Sequence, residues 1–220
     1  MAITEAKHVD TRDRIMDAAE GLFARGGFNA TSLRAITNEA NVNLASVNYH
    51  FGSKDRLIVE VIKRGIRPIN SERLTRLAEL TKNKNGSPVP LEKVLDCFYR
   101  PAFEYFQDNS KINFLRLLGR LLYETGPFTK AILEEEWMPL FEPYFNALKT
   151  ALPHLEDDEI TWRFHFALGS MIFTVSQYES LEAMSCDNCT IRDDFEPAIQ
   201  RLIAFTTAGM NNPHALKSNS

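Results

Sequence analysis

The sequence predicts an all-α chain, a three-helix head carried on a larger helical body, with about nine helices in all. Three observations predict it. Apolar residues recur at spacings of three and four along most of the 220 residues, the period of one helix face. The interruptions carry the residues that start and stop helices: Ser, Thr, Asn or Asp ahead of an apolar run, and glycine after it. No segment sustains the period-two alternation of a half-buried strand, so no sheet is expected.

Residues 1–10 read as a flexible arm in which Lys7 and His8 are the only features of note. From Thr11 the helical period begins, with Ile15, Ala18, Ala19, Leu22 and Phe23 on one face. Gly26-Gly27 stops it, because glycine accepts the left-handed conformation past a helix end. Thr31 is the expected N-cap of a second helix whose Leu33, Ile36 and Ala40 face inward. Asn41-Val42 makes a turn with Val42 as its buried plug, and Asn43 caps a third helix, Leu44 to His50. Val47 and Phe51 are four apart, so they share a face and dock that helix. Gly52 ends it. Ser53 then caps a fourth helix, with Asp55 complementing the positive end of its dipole and Leu57, Ile58, Val61 and Ile62 on its inner side.

Pro68 is expected to kink or end the fourth helix, with a second run over Ser71–Leu80 leading into the loop Lys82–Pro90. The body continues as Leu91–Gln107 with a kink at Pro101, Ile112–Tyr123, a bent Phe128–Leu152 containing Pro139 and Pro143, Asp158–Met184 capped by Asp157 or Asp158, and Phe195–Met210. The domain division that follows is an arm at 1–10, a head at 11–66, a body at 67–212 and a flexible tail at 213–220.

Composition excludes several classes. The net charge is −4, so the protein is not basic throughout. The sign is uneven: the first 67 residues carry 10 Lys and Arg against 8 Asp and Glu, and the remainder carries 15 against 21. A slightly basic head on an acidic body suits a nucleic-acid module joined to something that does not touch nucleic acid. No apolar run approaches the roughly 18 residues needed to span a bilayer, and the N-terminus lacks the pattern of a secretory signal, so no membrane contact is expected. Three cysteines in a chain of this length need no disulfide framework, and the expected compartment is the cytoplasm.

The stretch Thr31 to Asp55 dominates the functional reading. Its third helix packs Ser46, Asn48, Tyr49 and His50 into seven residues. That helix is too polar to be buried, and isolated helices below roughly a dozen residues are marginal. It reads as the recognition helix of a helix-turn-helix, presented to the major groove of double-stranded DNA. Phosphate contacts position such a protein and base-edge contacts specify its site. Thr31, Ser32, Tyr49, His50 and Lys54 are the candidate phosphate contacts. Ala45, Ser46 and Asn48 are the candidate base readers, since Asn pairs bidentately with adenine and Ala touches a thymine methyl. Asn43, as cap, completes the set.

Thr31-Ser32-Leu33-Arg34, Ala40-Asn41-Val42 and Val47-Asn48-Tyr49-His50-Phe51-Gly52-Ser53-Lys54 resemble the DNA-binding signature of the TetR family of bacterial transcriptional regulators, over roughly residues 11–64. The resemblance implies a homodimer, a helix-turn-helix DNA-binding head, an effector-binding and dimerisation body that takes a small molecule, and phosphate contacts from Thr31, Tyr49, His50 and Lys54. Many members have an aromatic residue where this chain has Asn48 and a Lys where it has Leu44, so the base contacts do not carry over. In the body, Leu115-Arg116-Leu117-Leu118-Gly119-Arg120, Trp162 to Gly169 and Ala208-Gly209-Met210 are similar to the PsrA-like regulators, which respond to long-chain fatty acids or their CoA esters and control β-oxidation genes.

The body's own residues leave choices open. Most of its Phe residues lie past residue 97. With Leu118, Leu122, Met138, Met171 and Ile172 they either line a long apolar cavity or form close-packed core. Phe114, Met138, Phe141, Phe166 and Phe173 are the candidate effector contacts among them. Arg116 and Arg120 share a helix face and either clamp a carboxylate or phosphate or form a solvated stripe or intersubunit pair. His165 beside Trp162 and Arg163 is a ligand contact or, alternatively, a subunit or core residue. Gly169 permits close approach of another helix, so Trp162, His165, Gly169 and Phe205 are candidate dimer contacts. Cys186 and Cys189 form a lone C-x₂-C, weak as a zinc site, and Cys97 reads as core.

No catalytic residue, metal ligand or cofactor motif is identified. The expected function is a ligand-responsive repressor of a near-palindromic operator, released by a small hydrophobic effector such as a long-chain fatty acid or acyl-CoA, and controlling fatty-acid metabolism genes. One alternative is a repressor of an efflux or catabolic operon that senses drugs or aromatic compounds. An alternative of another class is a helical lipid-binding protein or enzyme without DNA binding.

Overall fold

The computed structural model describes residues 10–82, 88–177 and 195–213. The expectations for Lys7 and His8, for Cys186 and Cys189, for the far end of the helix through Met184 and for most of the polar tail lie outside those residues. Among the described residues there is no strand, and no helix is long and apolar enough to cross a membrane.

Helix α1 (Thr11–Gly26) starts at Asp10, whose carboxylate accepts the Arg12 N–H, and stops at Gly27 with φ +84°. Helices α2 (Leu33–Glu39) and α3 (Leu44–Phe51) follow; α2 packs on α1 and α3, and α1 and α3 pack on α4 (Lys54–Thr81). Their shared core is Ile15, Ala19, Phe23, Ile36, Val47, Phe51 and Leu57. Val42 is half-buried against it.

Pro68 does not end α4, which runs unbroken for 28 residues. Proline removes one N–H and crowds the carbonyl four residues back, at about 3 kcal/mol in an isolated helix. Here Pro68 lies on the exposed side of the helix. The opposite face buries Leu57, Ile58, Val61, Ile62, Gly65, Ile69, Arg73 and Leu77, and that burial outweighs the local cost. A boundary at residues 66/67 therefore falls inside one helix that is shared by head and body.

The body comprises α5 (Leu91–Phe106), α6 (Ile112–Leu121), α7 (Pro127–Ile132), α8 (Met138–Ala151), α9 (Asp157–Ser176) and α10 (Glu196–Asn211). Helix α5 is central, against α4, α8, α9 and α10. The N-cap of α9 is Glu156, without a side-chain bond, and not Asp157 or Asp158. Pro139 stands in the first turn of α8 and Pro143 inside that helix, and a π-helical turn, Leu133–Trp137, joins α7 to α8. An extra residue per turn rotates the chain locally. It delivers Glu135 to Arg56 (2.9 Å) and to Lys63, and Glu136 to Arg67 (2.9 Å) on α4. The Lys63 and Arg56 bonds hold the Glu135 carboxyl below the usual carboxylate range.

Gly65 marks where α4 and α6 cross. A Cβ there would lie 2.4 Å from the ring of Phe114, itself fully buried. Phe114, expected among the effector contacts, is thus a packing residue wedged on a glycine and does not line the apolar cavity of the body. Gly65→Ala is expected to destabilise the protein by about 1–3 kcal/mol through overpacking, read as a lower urea midpoint. Adding Phe114→Leu should recover part of the loss; an unchanged midpoint in Gly65→Ala would contradict this crossing.

Candidate nucleic-acid interface and apolar cavity

Local chemistry builds the head's outer surface. Asn41 takes the left-handed conformation, φ +51°, which Asn tolerates better than most residues. Arg14 Nη2 reaches across from α1 and donates to Ala40 O (2.6 Å) and Asn41 O (2.7 Å). It satisfies carbonyls that the end of α2 leaves without partners and so sets the angle between α2 and α3. Asn43 Oδ1 accepts the Ser46 N–H (2.8 Å) and the Ser46 hydroxyl (3.0 Å). Val47 and Phe51 are buried beneath.

With that side anchored, α3 turns Ala45, Asn48 and Tyr49 outward, and Tyr49 is 86% exposed. Its ring meets His50 edge-on at 5.1 Å. Ser46 and His50 are half-buried at the margin. Lys54 Nζ rests on Asn29 O at 3.3 Å, an exposed contact that a competing phosphate can replace. The cap of α2 is Ser32, whose Oγ accepts the Ala35 N–H at 3.1 Å. Thr31, expected as that cap and as a phosphate contact, is only 6% exposed and donates to Gly27 O (2.8 Å) and Leu22 O (3.3 Å). Its hydroxyl is spent closing the α1–α2 loop. Sequence reasoning missed Arg34. It is exposed in the first turn of α2, where a cation opposes the helix dipole, so helix stability does not account for it.

In the body, α4, α5, α6, α7, the π turn and α9 line a partly open apolar cavity of about 280 Å³. Ile62, Ile66 and Ile69 of α4, Leu115, Leu118 and Leu122 of α6, and Met171 and Ile172 of α9 line it, with Trp137 from the π turn. Half of the wall residues are Ile or Leu, and Phe106 is the one phenylalanine among them. The other body phenylalanines divide between core and surface. Phe98 packs on Tyr144 and Phe164 at 5.1 and 5.0 Å.

The expected effector contacts Met138, Phe141, Phe166 and Phe173 do not line this cavity. Phe141 stacks on Phe145 and lies against Trp137. Met138 is exposed at the start of α8, and Phe166 and Phe173 are exposed on the outer side of α9, whose inner side carries Leu168, Met171 and Ile172 to the cavity. Arg116 and Arg120 are not in its wall either. They border a neighbouring groove between α6 and α9 that Phe173 shares and that has Leu115, Gly119, Leu122, Ile172 and Ser176 in common with the cavity wall. Arg120 is committed elsewhere: its Nε and Nη2 donate to Ala24 O and Arg25 O, both at 3.0 Å, at the end of α1.

The cavity's polar wall groups are Asn70, Arg73, Thr129, Glu136 and Ser176. Arg73 was readable in principle. It continues the series Ile62, Ile66, Ile69 at helical spacing, so an arginine occupies an inward position. Trp162, Phe166, Gly169 and Phe173 form an exposed stripe along α9, and Phe205 is exposed on the neighbouring α10. His165 is exposed too, with its ring Nδ1 2.8 Å from Thr161 O.

Residues 15–61 match the family model described as bacterial regulatory proteins, tetR family, and residues 96–209 match the tetracyclin repressor-like C-terminal domain. The chain is 39% identical over 54 residues to YttP, a proposed HTH-type transcriptional regulator of Bacillus subtilis, covering 24% of this chain and 26% of that one. It is 28% identical over 97 residues to IcaR of Staphylococcus aureus, the HTH-type negative transcriptional regulator of the biofilm operon icaADBC, covering 44% and 46%. The matches thus span less than half the length of these curated relatives. Among solved structures, a proposed fatty acid metabolism regulator of Clostridium perfringens is similar over 93% of this chain and 100% of its own, at 25% identity and TM-score 0.62. PfmR of Thermus thermophilus shares the fold over 94% and 98%, at 16% identity and TM-score 0.60.

Proposed function

The chain belongs to the TetR family of bacterial regulatory proteins, and from that premise we propose a ligand-responsive transcriptional repressor that binds a near-palindromic operator as a homodimer. The observation that carries the DNA-binding half is α3: its buried side is fixed by Val47 and Phe51, and its free side offers Ala45, Asn48 and Tyr49. In this reading Ala45, Ser46 and Asn48 meet base edges. Ser32, Tyr49, His50, Lys54 and the added Arg34 meet phosphates. The α9 stripe of Trp162, Phe166, Gly169 and Phe173, with Phe205, supports pairing of α9 and α10 with a second copy, since exposed apolar stripes of this kind mark interfaces. Pairing sets two recognition helices about one DNA turn apart, or a small multiple of that.

The apolar cavity supports a hydrophobic effector. The similarity to the proposed fatty acid regulator of Clostridium perfringens favours a fatty acid or acyl-CoA and control of fatty-acid metabolism genes. The effector releases DNA only in so far as it binds better to a state whose heads are wrongly spaced.

Gel shifts against genomic fragments test the DNA-binding half. Tyr49→Ala with Lys54→Ala should weaken binding to all sequences alike. It should also lower the slope of log K against log salt by about one for each phosphate no longer neutralised. Asn48→Ala should relax sequence preference instead. Specific binding left unchanged in the double variant would refute the assignment of α3.

A further inference from the structure

Arg73 is 3% exposed, at the wall of an apolar cavity. Its Nε donates to Phe98 O (2.8 Å) and its Nη1 to Asn70 Oδ1 (3.1 Å), and its guanidinium lies over the Phe98 ring at 4.3 Å. Nη2 meets only the Met171 thioether, at 3.2 Å, a weak acceptor. Among the described residues no carboxylate pairs with it, unlike Arg163, whose Nε meets Glu159 at 2.7 Å. The other charged group of the wall, Glu136, is already matched by Arg67 at 2.9 Å.

A buried cation held only by neutral acceptors is poorly compensated. Burial pushes the Arg73 guanidinium down to about 10, which leaves it charged at neutral pH. The carboxylate fork is the shape that a guanidinium pairs with best.

We propose that the cavity receives an aliphatic carboxylate, with its head group paired to Arg73 and its chain along Ile62, Ile66, Ile69, Leu118 and Ile172. This rests on the effector half of the proposed function and narrows it to the free acid. The carbonyl of a coenzyme A thioester is uncharged and cannot neutralise Arg73. Setting it beside so buried a group would also draw the nucleotide into an apolar wall. Arg73 lies on α4, the helix that begins at Lys54, so the new ion pair acts directly on a helix of the DNA-binding head.

The test titrates laurate, lauryl alcohol and lauroyl-CoA into the full chain near neutral pH by calorimetry. Laurate should bind at least about tenfold tighter than the alcohol, the scale of one charge-assisted pair. Arg73→Met should remove that preference while leaving alcohol affinity within about twofold, and Arg73→Lys should keep part of it. Circular dichroism and an operator gel shift establish that the variants fold. If Arg73→Met does not fold, the acid-to-alcohol ratio in the wild-type chain decides by itself. Equal affinity for acid and alcohol overturns the Arg73 pairing but leaves an apolar effector site standing. Tighter binding of lauroyl-CoA than of laurate overturns it too. If none of the three binds while operator binding is intact, the cavity is not the effector site and both readings of it fall, leaving DNA binding untouched.

Discussion

Val47→Asp abolishes operator binding and leaves the body folded. Val47 is 0% exposed and, with Phe51, is one of the two residues that α3 buries. An eight-residue helix has almost no stability of its own, so it exists because those two side chains are held by α1, α2 and α4. An aspartate at this position is buried within the apolar core that holds Ile15, Ile36 and Leu57. It costs several kcal/mol as a buried unpaired charge, a large share of the 5–15 kcal/mol typical of a whole domain. Val47→Ala should cost only about 2 kcal/mol, the two lost methyl groups plus a small cavity. Phe98, Tyr99, Tyr144 and Phe164 belong to the same continuous apolar core, but they sit on α5, α8 and α9, whereas α3 packs against α1, α2 and α4. Gel shift, helicity and size-exclusion together read the outcome: binding lost, helicity reduced by about the head's share, elution volume unchanged. Wild-type operator affinity in Val47→Asp would mean that α3 is not seated by this residue.

Arg120→Gln uncouples the effector from DNA without weakening either ligand greatly. Helix α6 serves two sites at once. Leu115, Leu118, Leu121 and Leu122 line the cavity, and Arg120 donates to the last carbonyls of α1. Those carbonyls have no partner within the helix, and a cation suits the negative end of the dipole. Each bond to a charged donor is worth about 1.5–3 kcal/mol when buried, and less here because Arg120 is exposed. Coupling between sites is generally about 1–3 kcal/mol. Loss of this strap should therefore reduce the effector-induced fall in operator affinity by about tenfold. The measurement is the ratio of operator Kd with and without saturating laurate. An unchanged ratio would place the coupling on α4 and on the pairs that Glu135 and Glu136 make with Arg56, Lys63 and Arg67.

The head was legible because its signals are local. The caps at Asn43 and Ser53 and the stops at Gly27 and Gly52 depend on bonds spanning two to four residues. So does the Val47–Phe51 spacing. The exchange of Thr31 for Ser32 as cap shows the limit. Both hydroxyls sit ahead of α2, and the choice turns on whether Thr31 first meets Gly27 O in a closed loop. Pro68 shows the same limit from the other side: a strong local breaker lost to burial along the opposite face of α4. In the body, core and cavity wall draw on the same residue types at the same helical spacing. Phe114, Phe141 and Leu118 are alike in the sequence, and only the placement of neighbouring helices separates a wedge, a stack and a wall.

The sequence by itself determined that the chain is helical, where the caps at Asn43 and Ser53 and the stops at Gly27 and Gly52 fall, and which residues the third helix presents. Side chains three or four apart make those choices, and the residues concerned are adjacent in the chain. Only the tertiary structure decided what the arginines of the body do. Arg120 caps a helix 95 and 96 residues away, and Arg73 is held by groups 25 and 98 residues away. An unpaired charge has no local signature, because it is defined by the partner that the fold fails to bring to it.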